Sequence, residues 1–430
     1  MAKKEIDHSV LDGDNILYIE NDRIRLGINL ALGGVVTYLA QHGHPNLINS
    51  HDWGRQVQMS FYSHPVPFHP EGFDMNENWR YIGWNPIQCG DCFGHRSTIL
   101  DYRCENGEIY VKCIPMHWPL DNHPGECTFE TWYRLNGDRV EVTARLNNAR
   151  PDTTQYPARG QELPAVYTNG VWYKLVSYTG NEPFTGAPVT ELCTRENGLG
   201  WPWVSYNATE HWAALVDDSN YGLGVYNPVT SSFIGGFSGE KGIGGPKDRH
   251  TGYISPILPE ILDHDIVYTY HYSLIVGTLD SIRAEAAALN AARTDSLAWE
   301  FSCDRSHFHY RDITDAGLPQ NSCLEFDFIP NSALIAPPQF IPADARRIVL
   351  DAAFTGCELP CTLRLFTYDG VWRKTIMDQE SEPVVYDIPC TLSVDRQCHV
   401  IDITAAPAAV GFELIFGSTG SAKLRSVRVE

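Results

Sequence analysis

Apolar and polar residues alternate with a period of two along most of this chain, the pattern of half-buried strands. It is clearest at 127–147, CTFETWYRLNGDRVEVTARLN, where alternation flanks Asn136-Gly137-Asp138, turn chemistry that closes a hairpin. Strands are also expected over Ile16–Glu20, Arg23–Asn29, Val35–Leu39, Val57–Tyr62, Ser97–Cys104 and Glu108–His117. Further along come a strand within Gln155–Tyr178 and a hairpin, Trp212–Val216 with Gly222–Tyr226. Ile266–Val276 gives the longest strand signal. The one good helix candidate is Ser281–Arg293, which Asp280 can cap. Beyond Trp299 short strands recur every ~8–12 residues, a spacing that predicts a β-sandwich.

The expected class is therefore all-β: a large antiparallel β-supersandwich over residues 1–279, a helical linker at 280–297, and a smaller β-sandwich at 298–430. The last module reads as a carbohydrate-binding or interface unit. Residues 64–97 form a long irregular segment, and a loop of that length inside a domain is usually functional. Its His69, Trp79, Tyr81, Trp84 and Asp91 are placed either to line a cleft or to pack down as a lid.

Composition narrows the partners. The formal net charge of -21 argues against nucleic acid and anionic membranes, which need clustered Lys and Arg. No run approaches the ~20 apolar residues of a membrane span. The first residues, MAKKEIDHSVLDGDN, lack the apolar core of a secretory signal, so the expected compartment is the cytoplasm, a trimmed leader aside. The 12 cysteines then read as mostly reduced.

Candidate chemistry is concentrated in a few stretches. Asp52-Trp53-Gly54-Arg55-Gln56 sets a carboxylate, an indole, a guanidinium and an amide at a strand mouth, a combination that suits a polyhydroxylated ligand. The alternative reading is a strand-start salt bridge beside a packed Trp. Arg159-Gly160-Gln161-Glu162-Leu163-Pro164 opens another strand; in an aromatic cleft, desolvation would raise the Glu162 pKa and suit it to general acid work. Glu240 sits in the glycine-rich GEKGIGG, which lacks the phosphate-loop pattern. Trp201-Pro202-Trp203 is either a sugar platform or an inter-domain contact, and Trp372 is a thinner signal of the same kind. His64, His69, His117 and His123 lie near expected loop mouths. Cys89-Gly90-Asp91-Cys92 has no second pair to complete a zinc site. No metal is expected, with a structural calcium left open. Nothing supports acyl transfer.

The order of these signals resembles the galactose mutarotase-like family, the β-supersandwich of aldose 1-epimerases and many glycoside hydrolases and lyases. Gly33-Gly34 and Gly54-Arg55 stand where that family has its Gly-rich turn and its sugar-binding Arg. The hairpin 127–147 is followed by Gln161 and Glu162 where the family has a catalytic His, and Glu240 stands where it has its base. The resemblance covers roughly residues 15–277. The mutarotase N-H-x-Y-x-N motif is absent.

The resemblance implies a carbohydrate-active enzyme, foremost a glycoside hydrolase with Glu162 and Glu240 as paired carboxylates. Asp52, Arg55, Gln56 and Gln161 would hold hydroxyls, while Trp84, Trp201 and Trp203 would stack on sugar faces. Alternatives are an epimerase, mutarotase or polysaccharide lyase on the same scaffold, or a non-catalytic sugar-binding protein. The expected partner is a mono- or oligosaccharide, without a cofactor, and homo-oligomerisation is left open.

Overall fold

A computed structural model describes residues 8–11, 13–192, 203–293, 297–355, 359–370, 384–394 and 397–430. Three large antiparallel sheets make up the fold. The first has the spatial order Ile16–Glu20, Ile24–Asn29, Val35–Gln41, Val57–Ser60, Arg159–Asn169, Thr251–Glu260, Ser232–Ser238, Trp203–Asn207. The second runs Thr190–Glu191, Lys174–Ser177, Trp212–Val216, Tyr221–Tyr226, Val267–Thr278, Arg139–Asn148, Cys127–Asn136, Glu108–Ile114, Thr98–Glu105. The third is built from strands between Ala298 and Val429.

Binary patterning explains why the first two sheets stack. Val57, Met59 and Phe61 point inward with Ile24, Leu26, Ile28 and Val166, meeting Phe129, Tyr133, Val140, Val142 and Leu274 of the second sheet in one apolar core. The even positions Gln58, Ser60 and Tyr62 then face outward. The third sheet has its own core, which includes Phe301, Phe308, Phe328 and Phe412. It is tied to the first two sheets by polar contacts: Arg305 to Asp263 at 2.5 Å, His307 to Glu260 at 2.6 Å, and the Ser231 amide to the Pro338 carbonyl at 2.8 Å.

The helix spans Leu279–Ala291 and packs Ile282 and Ala286 onto the second sheet. Its N-cap is Thr278, whose hydroxyl accepts from the Ser281 amide, so the Asp280 cap is corrected. Asp280 instead lies in the first turn, where its charge favours the positive end of the helix. The irregular segment is organised by a short 3-10 helix at Glu77–Ile82 and a two-residue strand, Pro86–Ile87.

Candidate active site

The outer face of the first sheet carries a cleft of about 480 Å³. Its floor follows from strand register. Glu162 pairs with Ser60 on one side and Ile257 on the other, but Ala165 pairs with Gln58 and Val166 with Ile254. One extra residue is therefore accommodated between Glu162 and Ala165. That bulge reverses the alternation, so Glu162, Ala165 and Tyr167 all face the cleft although their numbers differ in parity. Neighbouring strands add Tyr253 and Ile257, Ile234, and Trp203. The irregular segment supplies the rim, with Trp79 and Tyr81 from its 3-10 helix and Asn85 beyond it.

Glu162 is the single carboxyl among the described residues that line this cleft. The Tyr62 hydroxyl donates to Glu162 Oε2 at 2.8 Å, and the Tyr253 hydroxyl donates to Oε1. Burial pushes the carboxyl pKa up, and hydrogen bonds from Tyr253, Tyr62 and Ser60 pull it only partly back. The Tyr62 and Tyr253 hydroxyls are held well above their ordinary range, first by burial and next by the neighbouring Glu162, so at neutral pH they are donors rather than bases. Asn85 donates to the Phe61 carbonyl at 2.7 Å, while its own carbonyl oxygen is buried without a partner. That oxygen is an unused acceptor buried in the cleft wall. Tyr81, 59% exposed, and the half-buried Trp79, 6.2 Å from it, give the rim an aromatic surface.

The other expected site residues have different fates. Asp52 and Arg55 pair with each other at 3.3 Å, and Arg55 also donates to the Arg249 carbonyl at 2.8 Å. Gln56 is fully buried and donates to the Asp52 carbonyl at 2.8 Å. None of the three lines the cleft, and their assignment to sugar hydroxyls is corrected: the turn consumes its own charges. Gln161 is corrected for the same reason. It lies on the opposite side of the strand from Glu162 and exchanges hydrogen bonds with the Tyr62 backbone, both at 2.8 Å. Trp84 is fully buried in the inter-sheet core and donates to Glu126 at 3.2 Å, so it cannot stack on a ligand.

Glu240 is exposed on the loop after Ser232–Ser238 and does not line the cleft, which removes it as the partner of Glu162. Trp203 does face the cleft, 4.9 Å from the Tyr253 ring. Trp201 and Trp372 lie outside the described residues.

Sequence reasoning passed over Gln58, Ser60, Tyr62, Trp118, Tyr167 and Tyr253 as site residues. A signal for three of them was present: Gln58, Ser60 and Tyr62 alternate with Val57, Met59 and Phe61, which makes the outer face of that strand polar.

Two groups elsewhere have metal-ligand character, Asp91/His95/Asp121 and His117/His123/Glu126. Asp91 Oδ1 already accepts from the amides of Phe93, Gly94 and His95, and its Oδ2 from that of Asn122. Glu126 Oε2 is bonded to both His117 and Trp84. These bonds account for both groups as loop-fixing devices. Cys89 and Cys92 are both buried.

No family model and no curated protein matches the chain. Among solved structures it is similar to galactose mutarotase-like proteins. A galactose mutarotase related enzyme from Lactobacillus acidophilus is 13% identical, with a TM-score of 0.39, covering 61% of this chain and 97% of that one. A galactose mutarotase-like protein from Lactobacillus casei is 12% identical, also at 0.39, covering 61% and 99%. A 4-alpha-glucanotransferase from Thermococcus litoralis is 11% identical at 0.33, covering 64% and 39%. At this identity the likeness concerns fold, and function has to be argued from the cleft.

Proposed function

We propose that the cleft binds a saccharide and that Glu162 transfers protons at its anomeric centre, an epimerase- or mutarotase-type activity. The observation that carries this is a solitary carboxyl, pushed towards its protonated form, in a pocket walled by tyrosine and tryptophan. Paired-carboxylate glycoside hydrolysis needs a second acid about 5–10 Å away, and the described lining of the cleft contains none.

A single protonated carboxyl has both an O–H donor and a carbonyl acceptor. It can give its proton to the ring oxygen of a reducing sugar and accept the proton of the anomeric hydroxyl. The ring C–O bond then breaks as the carbonyl forms, and reversal on the other face yields the second anomer. Tyr62 and Tyr253 hold the carboxyl in place. Asn85 Oδ1 accepts from a hydroxyl, and Trp79 and Tyr81 offer faces for stacking.

The experiment is anomer exchange followed by polarimetry or NMR on a panel of freshly dissolved reducing sugars. Acceleration that disappears in Glu162→Gln supports the reading. Sugar binding with no acceleration of exchange would replace it with a non-catalytic binding protein.

A further inference from the structure

The cleft contains an arginine to which no described residue supplies a counter-charge. Arg159 lies at the rim, where its Nη1 donates to the carbonyls of Ile82 at 2.6 Å and Ser63 at 3.2 Å, and its guanidinium sits 6.0 Å from the centre of the Tyr62 ring. These contacts fix the group without neutralising it. No carboxylate among the described residues forms an ion pair with Arg159. Arg55 and Arg150, by contrast, are each paired, with Asp52 at 3.3 Å and Asp152 at 3.0 Å.

Arg159 is half-buried, and partial removal of water from an unpaired cation is unfavourable unless something supplies an anion. The one carboxyl among the described cleft residues does not: its two oxygens accept from the Tyr62 and Tyr253 hydroxyls, and it forms no ion pair with Arg159. The guanidinium N–H groups that are not bound to Ile82 and Ser63 retain the planar donor geometry that suits a carboxylate or a sulfate ester.

We propose that the cleft selects an acidic saccharide, whose carboxylate or sulfate ester is received by Arg159 while its hydroxyls meet the polar and aromatic walls. This rests on the saccharide reading above and adds a substrate class to it. The strongly negative net charge of the chain does not oppose it, because recognition depends on the local field at the rim rather than on the sum of charges.

The test is calorimetric titration of matched pairs: galacturonate against galactose, glucuronate against glucose, and a 6-sulfated hexose against its parent. Acidic members should bind roughly 10-fold more tightly at low salt. The preference should shrink as salt is raised, disappear in Arg159→Gln, and survive in part in Arg159→Lys. A gain for uronates alone identifies a carboxylate, and a gain for the sulfated sugar alone identifies a sulfate ester. Equal binding of neutral and acidic members overturns the inference and leaves the saccharide reading standing; binding of neither overturns both. Arg159 also ties two backbone carbonyls, so Arg159→Gln is expected to lose stability as well. The salt dependence of the wild-type preference is a second measurement that needs no variant, and a preference insensitive to salt would count against Arg159.

Discussion

Asp52 with Arg55 and Arg159 with Glu162 each set a carboxylate and an arginine three residues apart, and the two stretches end in opposite states. Asp52 and Arg55 lie in a turn, which folds them onto each other at 3.3 Å. Arg159 and Glu162 lie in an extended strand, where a separation of three residues sets them about 10 Å apart along the chain, so they line one cleft without pairing. The turn neutralises its charges and becomes a clamp, with Arg55 also reaching the Arg249 carbonyl at 2.8 Å. The strand leaves an unpaired guanidinium and a desolvated carboxyl facing one cavity. The same two residue types at the same spacing therefore give structure in one place and candidate chemistry in the other, with backbone conformation deciding which.

The contrast can be broken at either end. The largest effect is expected from Glu162→Gln, which should lower sugar turnover by at least ~100-fold while leaving the circular dichroism spectrum unchanged. Turnover within a few-fold of wild type would remove Glu162 from the chemistry. Next, Arg55→Ala should cost about 3 kcal/mol in chemical denaturation, because the buried Asp52 carboxylate would lose the guanidinium 3.3 Å away. A variant as stable as wild type but poor at binding sugar would restore Arg55 to the ligand.

Tyr81→Ala removes an exposed ring and should weaken sugar binding by roughly 5- to 10-fold without lowering the melting temperature. No change in affinity would show that the ring is not part of the binding surface. A smaller effect concerns pH. The Glu162 pKa is raised in the folded state by burial, so the carboxyl ionises more easily unfolded, and its contribution to stability falls as pH rises through the interval between the two values. Glu162→Gln should therefore gain melting temperature relative to wild type at pH 8 and lose that advantage near pH 4. The reverse order would show that the carboxylate is stabilised in place. Finally, Glu240→Gln should leave turnover and stability within error, since the residue is exposed and away from the cleft. A large loss of turnover would reinstate the pair.

Local pattern made much of the fold legible. The hairpin at Cys127–Asn136 and Arg139–Asn148 forms around the Asn-Gly-Asp turn, because alternation and turn chemistry are both short-range properties. The cap at Thr278 was missed by two residues, since Thr and Asp are both competent caps and the strand runs to Thr278 before the helix begins. The cleft was only partly legible. Glu162 and Trp203 face the cleft, whereas Trp84 and Gln161, expected at the ligand, face protein.

The sequence by itself determined the strands, their inner and outer faces, and the few residues able to donate or accept a proton. Periodicity and turn propensity are encoded within a few residues, so these features do not depend on distant partners. Only the tertiary structure decided which polar side chains share a cavity. That choice depends on a one-residue bulge after Glu162, which sets the face presented by Ala165 and Tyr167, and on a rim supplied by residues some eighty positions earlier in the chain. A register shift of one residue exchanges core for cleft, and periodicity alone does not locate where it falls. The same long-range packing separates the Asp52–Arg55 clamp from the strand that bears Arg159 and Glu162.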